Sequence, residues 1–310
     1  MSLSQKESRS VSIRKIWKEG AWPCFSPDGR QLVFTGLMDR PNNGLMIMPA
    51  EGGEKPQVIT PPHINAKRPA WLSASTQIAF NRDQNRIWTI DVATGRLEPF
   101  LPESPSEAPP YVHPCAYPNE RAVVVVALFD SANGRAGVLY KLTPGAVAPV
   151  MQLTSFPEVC AGRPGVSPDG KKVVFAGNAG GFAQSANQLW VVTQNAKPRR
   201  LEQGEPALAQ GRAPRWSPDG KWIACTSTRP SPNPIETTHK AIWIISADGD
   251  EAYRLTDHSF NPLHVAWSPD QKRLACGGFG CGLGILDLPE RFQFASPRSR
   301  SDELGEGAHR

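Results

Sequence analysis

The stretch from Arg215 to Leu255, RWSPDGKWIACTSTRPSPNPIETTHKAIWIISADGDEAYRL, holds one complete unit of the fold. A short strand ends at Trp216, and Ser217-Pro218-Asp219-Gly220 is a turn: Pro presets φ, Asp bonds back to the backbone and Gly accepts positive φ. Trp222 to Cys225 alternates as a second strand, the polar loop from Thr228 to Lys240 leads to a third at Ala241 to Ile245, and Asp248-Gly249 is a hairpin turn before a fourth at Ala252 to Leu255. The same design recurs in CFSPDGRQLVF from Cys24, GVSPDGKKVVF from Gly165 and AWSPDQKRLAC from Ala266, with weaker copies in AWLSASTQIAF from Ala70 and CAYPNERAVVV from Cys115. Aligned on the motif Ser, the anchors are Ser26, Leu72, Tyr117, Ser167, Ser217 and Ser268, separated by 46, 45, 50, 50 and 51 residues. Six units of four short strands at such a period predict an all-β, six-bladed β-propeller of antiparallel blades.

The composition agrees with this punctuation. The 310 residues include 31 Pro and 27 Gly, well above the usual share of turn-formers. Hydrophobic residues make up 39% and charged residues 20%, which suits a folded chain with a core. The balance of 34 basic against 29 acidic residues gives +5 without basic runs, so nucleic acid is not an expected partner. No apolar stretch approaches the length of a membrane helix and the N-terminus has no apolar leader core, so the expectation is no membrane insertion. As written the chain reads as cytoplasmic, or as periplasmic or secreted if its N-terminus is trimmed. The six Cys residues form no CxxC pair and read as reduced and structural.

The sixth unit breaks off after Gly284 to Leu288, while a spare strand, Val11 to Trp17, precedes the first. An open ring would leave bare strand edges, so the N-terminal strand is predicted to be the outer strand of blade six. The expected organisation is a flexible stretch at 1–10, one propeller at 11–290 and a disordered polar tail at 291–310.

The Ser-Pro-Asp-Gly units, with third strands such as AIWIISADG, resemble the TolB-like six-bladed propellers built from WD40-like repeats, over roughly residues 11 to 288. The resemblance implies the fold more than a function, because such propellers serve as protein-binding modules, as the periplasmic component of the Tol-Pal system, as gates of prolyl-oligopeptidase-type peptidases and as lyases. A peptidase of that kind carries a GxSxG elbow, which this sequence lacks. The Tol-Pal component carries a signal peptide and a separate N-terminal domain, and neither is recognisable here.

In a propeller the first residues of each innermost strand line the mouth of the central channel. Four residues before the anchors stand Trp22, Arg68, His113, Arg163, Ala213 and His264, with Lys67 and Arg212 one residue earlier in units two and five. Lys67, Arg68, His113, Arg163, Arg212 and His264 are therefore the expected ligand-binding residues, forming a basic funnel for an acidic ligand. The competing reading is that they pair with nearby carboxylates or channel water. His63, His239, His258 and His309 lie outside the aligned positions, so no metal site is expected, and no cofactor or catalytic residue is assigned. Asp28, Asp169, Asp219 and Asp270 read as turn-formers, and Trp71, Trp88, Trp190, Trp216, Trp243 and Trp267 as packing between blades. The loops Leu37 to Asn43, Asp130 to Gly137, Asn178 to Asn187 and Thr228 to Lys240 share the face of the mouth and are the places where such a scaffold varies. The expected function is a monomeric, non-catalytic binding module for a protein or a small acidic ligand; the alternative is a lyase or hydrolase acting on an acidic carbohydrate or peptide in the funnel.

Overall fold

The computed structural model describes residues 10–37, 42–73, 76–83, 86–101, 109–131, 134–146, 150–155, 160–178, 188–201, 212–228 and 239–294. After the strand β1 (Arg14–Trp17), blade one comprises β2 (Ala21–Phe25), β3 (Gln31–Leu37), β4 (Asn43–Pro49) and β5 (Gln57–Val58). Blade two comprises β6 (Ala66–Trp71), β7 (Gln77–Arg82), β8 (Arg86–Asp91) and β9 (Leu97–Pro99). Blade three comprises β10 (Tyr111–Ala116), β11 (Val123–Ser131), β12 (Gly134–Leu142) and β13 (Val150–Gln152). Blade four comprises β14 (Cys160–Val166), β15 (Lys172–Asn178), β16 (Gln188–Thr193) and β17 (Arg199–Arg200). Blade five comprises β18 (Arg212–Trp216), β19 (Trp222–Ser227), β20 (Ala241–Ser246) and β21 (Ala252–Arg254). Blade six is β22 (His264–Trp267), β23 (Arg273–Gly278) and β24 (Gly282–Asp287), completed by β1.

Closure follows the expected route. β1 pairs antiparallel with β24, Arg14 opposite Ile285 and Lys15 opposite Gly284, so the edge of the last blade is covered by the start of the chain. Val11 extends the seal by donating its N–H to the Leu255 carbonyl at 2.9 Å.

Each blade hides its apolar faces only against its neighbours. The buried residues fall into six clusters, one at each junction: Val33, Ile64 and Phe80 between blades one and two, for example, and Trp216, Ile223 and Trp243 on the blade-four side of blade five. The recurring tryptophans pack in these junctions. No helix among the described residues is long and apolar enough to cross a membrane.

The motif turns behave as their residues dictate. In each complete copy the Ser hydroxyl donates to the Asp carboxylate at 2.5–2.6 Å, and the carboxylate accepts the N–H two residues on at 3.0–3.1 Å. Those aspartates are spent on local geometry. The Gly at the fourth position has φ near 71–73° and packs on a Pro of the preceding blade, Gly220 on Pro168 and Gly29 on Pro269. Blade six has Gln271 at that position, at φ 55°.

Two expectations need correction. Asp130 to Gly137 is not a free loop, because β11 and β12 stay paired through Asp130 opposite Arg135 and Ser131 opposite Gly134. The polar tail does not begin at residue 291: a short 3-10 turn, Glu290–Phe292, places Phe292 fully inside the junction of blades five and six. A single aromatic against Trp222 and Tyr253 outweighs the polar composition around it. Residues 1–9 and 295–310, like 38–41, 179–187 and 229–238 within three of the expected loops, lie outside the described residues.

Candidate functional site

The channel is built by a deviation repeated in five of the six innermost strands. Trp22, Arg68, His113, Arg163 and Ala213 all adopt left-handed backbone, φ 49–57°, and each is followed by a proline: Pro23, Pro69, Pro114, Pro164 and Pro214. The ladder to the second strand slips at each of these points, as between Lys67 and Ala70 in blade two. Proline has no N–H to give the ladder, and a bulge re-aims the side chain at its centre. In blade six the proline is replaced by Val265, the ladder runs unbroken, and His264 pairs in register with Gly277. The six-fold repeat is thus five bulges and one straight strand.

Neighbouring blades clamp the left-handed residues. The Arg68 N–H donates to Thr35 Oγ1 at 2.9 Å and the His113 N–H to Asn81 Oδ1 at 3.1 Å, both acceptors lying on the second strand of the blade before. Asn81 Nδ2 in turn donates to the Tyr111 carbonyl at 2.6 Å. These bonds hold in place a backbone that costs about 1–2 kcal/mol per non-glycine residue.

Inside the ring lies a cavity of about 310 Å³ running from Trp22, Arg68, His113 and His264 at one end to the motif prolines Pro27 and Pro218 at the other. Arg68, His113, Arg163 and His264 act on one another electrostatically, so the structure brings together four of the six expected residues. Arg212 joins them beside Arg163. Lys67 stands opposite Asn81 in the ladder, and no interaction among the described residues ties it to the group.

Two cations belong to the site that the column of aligned residues did not show. Arg215, half-buried on the channel wall, donates from Nη1 to the Pro164 and Pro214 carbonyls at 2.8 Å each, lying across the neighbouring blade. It was legible as the one charged residue two places before an anchor, where the other units carry Cys24, Ala70, Cys115, Gly165 and Ala266. Lys240, at the end of a loop already singled out, faces Arg212 and Arg163.

The electrostatics follow from crowding without counter-charge. Burial, then Arg212, Arg68 and Arg215, brings the Arg163 guanidinium down to about 10. Lys240 is lowered by burial and then by Arg212 and Arg163, and Arg68 by burial. His113 and His264 are held well below the ordinary imidazole range, first by burial and then by arginines 68, 163 and 215, so both are neutral at pH 7. No carboxylate is among the groups acting on them, and the ion pairs of the described residues lie elsewhere, at Glu51, Asp83, Glu98 and Glu120. Pairing with nearby carboxylates, the competing reading of these residues, is therefore not found among the described residues. Arg68 lies 5.2 Å from the centroid of Trp22, whose ring is 4.5 Å from that of His264 and meets Phe279 edge-on at 5.5 Å. Trp22 Nε1, Arg68 Nε and Arg212 Nε are buried without hydrogen-bond partners among the described residues.

The histidines do not gather further. His113 and His264 share the channel, whereas His63 and His239 are exposed and His258 is buried in the connection between β21 and β22. No group of three or more His, Cys, Asp or Glu residues able to hold a metal ion occurs among the described residues.

Solved structures share this architecture. A putative TolB from Agrobacterium tumefaciens superposes over 76% of this chain and 81% of its own, with TM-score 0.59 and 18% identity. The fold is that of the TolB-like propellers. A gluconolactonase from Xanthomonas campestris covers 90% of each chain with TM-score 0.66 and 14% identity. An oligogalacturonate lyase from Vibrio parahaemolyticus covers 94% of this chain and 99% of its own, with TM-score 0.56 and 14% identity. In sequence, 75 residues, 24% of this chain, are 37% identical to the uncharacterized peptidase YuxL of Bacillus subtilis, and the match covers only 10% of that protein's length. No family model matches the sequence. At these identities the shared property is the fold, which is common to binding proteins and enzymes.

Proposed function

We propose that the protein is a binding module that takes an anionic ligand, an acidic protein segment or a small acidic molecule, into the basic end of its channel. The observation that carries this reading is the gathering of Arg68 and Arg215 on the cavity wall with Arg163, Arg212 and Lys240 acting on one another beside them, while no carboxylate among the described residues acts on Arg163, Lys240, His113 or His264. Natural cores pair buried cations, and a cluster kept unpaired carries a cost that a bound anion relieves. Guanidinium donors left without acceptors, Arg68 Nε and Arg212 Nε, suit carboxylate or phosphate oxygens in geometry as well as charge. The cavity is at the small end of the ligand-pocket range, which fits a chain terminus or a small molecule rather than a folded domain.

The test is calorimetric titration of the protein with a short peptide ending in Asp-Glu and with inorganic sulfate. Both are expected to bind the wild type, and the double variant Arg68→Glu, Arg163→Glu is expected to lose at least tenfold in affinity while keeping its circular-dichroism spectrum. Wild type that binds neither probe overturns the reading.

Catalysis is the second reading, favoured by two neutral imidazoles beside guanidinium groups, a combination suited to moving a proton next to a bound carboxylate. Turnover of uronic-acid oligomers or of aldonolactones would establish it, and loss of that turnover in His113→Gln or His264→Gln would place it in the channel.

A further inference from the structure

The basic cluster holds two groups whose charge is not fixed. His113, on β10, lines one cavity with Arg68 from β6, Arg215 from β18 and His264 from β22, and Arg163 from β14 also acts on it. His264, on the straight strand of blade six, faces the same three arginines, with Trp22 from β2 at its ring and the Gly277 carbonyl of β23 beside it. Neither nitrogen of His264 makes a hydrogen bond of normal geometry among the described residues. Among the described residues every charge that acts on either imidazole is positive, so a proton added to the channel is opposed by the arginines, and the Gly277 carbonyl favours it at His264 alone. An oxyanion seated against the arginines reverses that field and supplies an acceptor for an imidazolium N–H.

We propose that anion capture in this channel is proton-coupled, His113 and His264 being neutral when it is empty and taking up protons as the anion is seated. The proposal rests on the anion-binding reading above and adds its regulation: affinity strengthens as pH falls, and the complex carries protons that the free protein does not. By linkage the reverse also holds, an anion raising the affinity of each imidazole for its proton by the factor that the proton raises the affinity for the anion. The arginines stay charged throughout and supply the pH-independent part of the binding. The burial that keeps both rings neutral is the same burial that makes their protonation depend on a counter-charge.

The experiment is calorimetric titration with sulfate, which stays fully ionised, and with the Asp-Glu peptide, from about pH 7.5 to about pH 5.5, the range in which histidine switches. Each titration is run in two buffers of different ionisation enthalpy. The expected result is net proton uptake on binding, with sulfate affinity rising by up to about tenfold per pH unit for each imidazole that charges. His113→Gln and His264→Gln should each remove part of the uptake, and the double variant should bind sulfate with an affinity that no longer varies with pH. Wild type that binds either probe with no proton uptake and a flat pH profile overturns the coupling and leaves the binding reading in place. Failure of both probes at every pH overturns both.

Discussion

Gln271 shows how one residue can carry a joint that elsewhere needs none. It occupies the left-handed fourth position of the blade-six motif turn, where Gly29, Gly170 and Gly220 stand in their own blades. Fully buried, it accepts the Asp219 N–H at Oε1, 2.9 Å, and donates from Nε2 to the Phe292 carbonyl at 2.8 Å, tying blade five and the end of the chain to blade six. Gln271→Ala keeps the strained backbone and orphans both partners, so a loss of about 2–4 kcal/mol is expected in urea unfolding. Gln271→Gly orphans the same partners but relaxes the backbone, and should cost about 1 kcal/mol less. Equal losses would mean that the left-handed conformation carries no strain. Gly165 is a different case, since its φ is ordinary and only space is short: an added Cβ would lie 2.6 Å from the Pro214 carbonyl. Gly165→Ala should push blade five aside, displace Arg215 and weaken sulfate binding more than it weakens the fold, as read by titration and melting of the same sample. At this scale the sequence is only partly legible. The five prolines form a visible column, but that the residue before each turns left-handed is a consequence of the missing N–H and of clamps such as Thr35 and Asn81, which come from another blade. Nothing in the column itself reveals that Arg215 lies across its neighbour.

Among the elements, β1 has the largest consequence for its length. Its four residues cover the open edge of β24, and the residues around it fill two junctions: Val11 and Ile13 pack with blades five and six, Ile16 and Trp17 with blades six and one. Gly284 is small because Ile13 occupies the place of its missing Cβ. Deleting residues 1–18 removes these contacts and bares the β24 backbone, so differential scanning calorimetry should show a strong fall in melting temperature and the sample should aggregate near its transition. An unchanged melting curve would mean that the ring does not depend on this closure. The strand itself was legible because a missing fourth strand at one end and a spare one at the other have a single economical solution. Phe292 was not, since a lone aromatic in a polar segment docks according to a pocket made by Trp222 and Tyr253, 70 and 39 residues upstream in the chain.

For the molecule as a whole, the formal charge of +5 equals the number of cations gathered at the channel, Arg68, Arg163, Arg212, Arg215 and Lys240, so acidic and basic residues elsewhere balance. The excess that composition presents as mild is local and concentrated, and a fold stabilised at six apolar junctions is what allows it to be tolerated. The two imidazoles make that tolerance depend on pH. In the unfolded chain a histidine protonates near pH 6.5, whereas in the folded channel His113 and His264 resist protonation until well below that value. Between those limits the unfolded state binds more protons than the folded one, so stability is complete above about pH 6.5 and declines as pH falls, by up to about 1.4 kcal/mol per pH unit for each ring. The melting temperature should therefore drop on acidification from about pH 7.5 to about pH 5.5. His113→Gln with His264→Gln should flatten that drop, and saturating sulfate should reverse more of it at the acidic end than at the neutral end. A double variant that follows the wild-type curve would show that other groups govern the acid sensitivity of the fold, and a sulfate effect equal at both ends would separate that sensitivity from the channel.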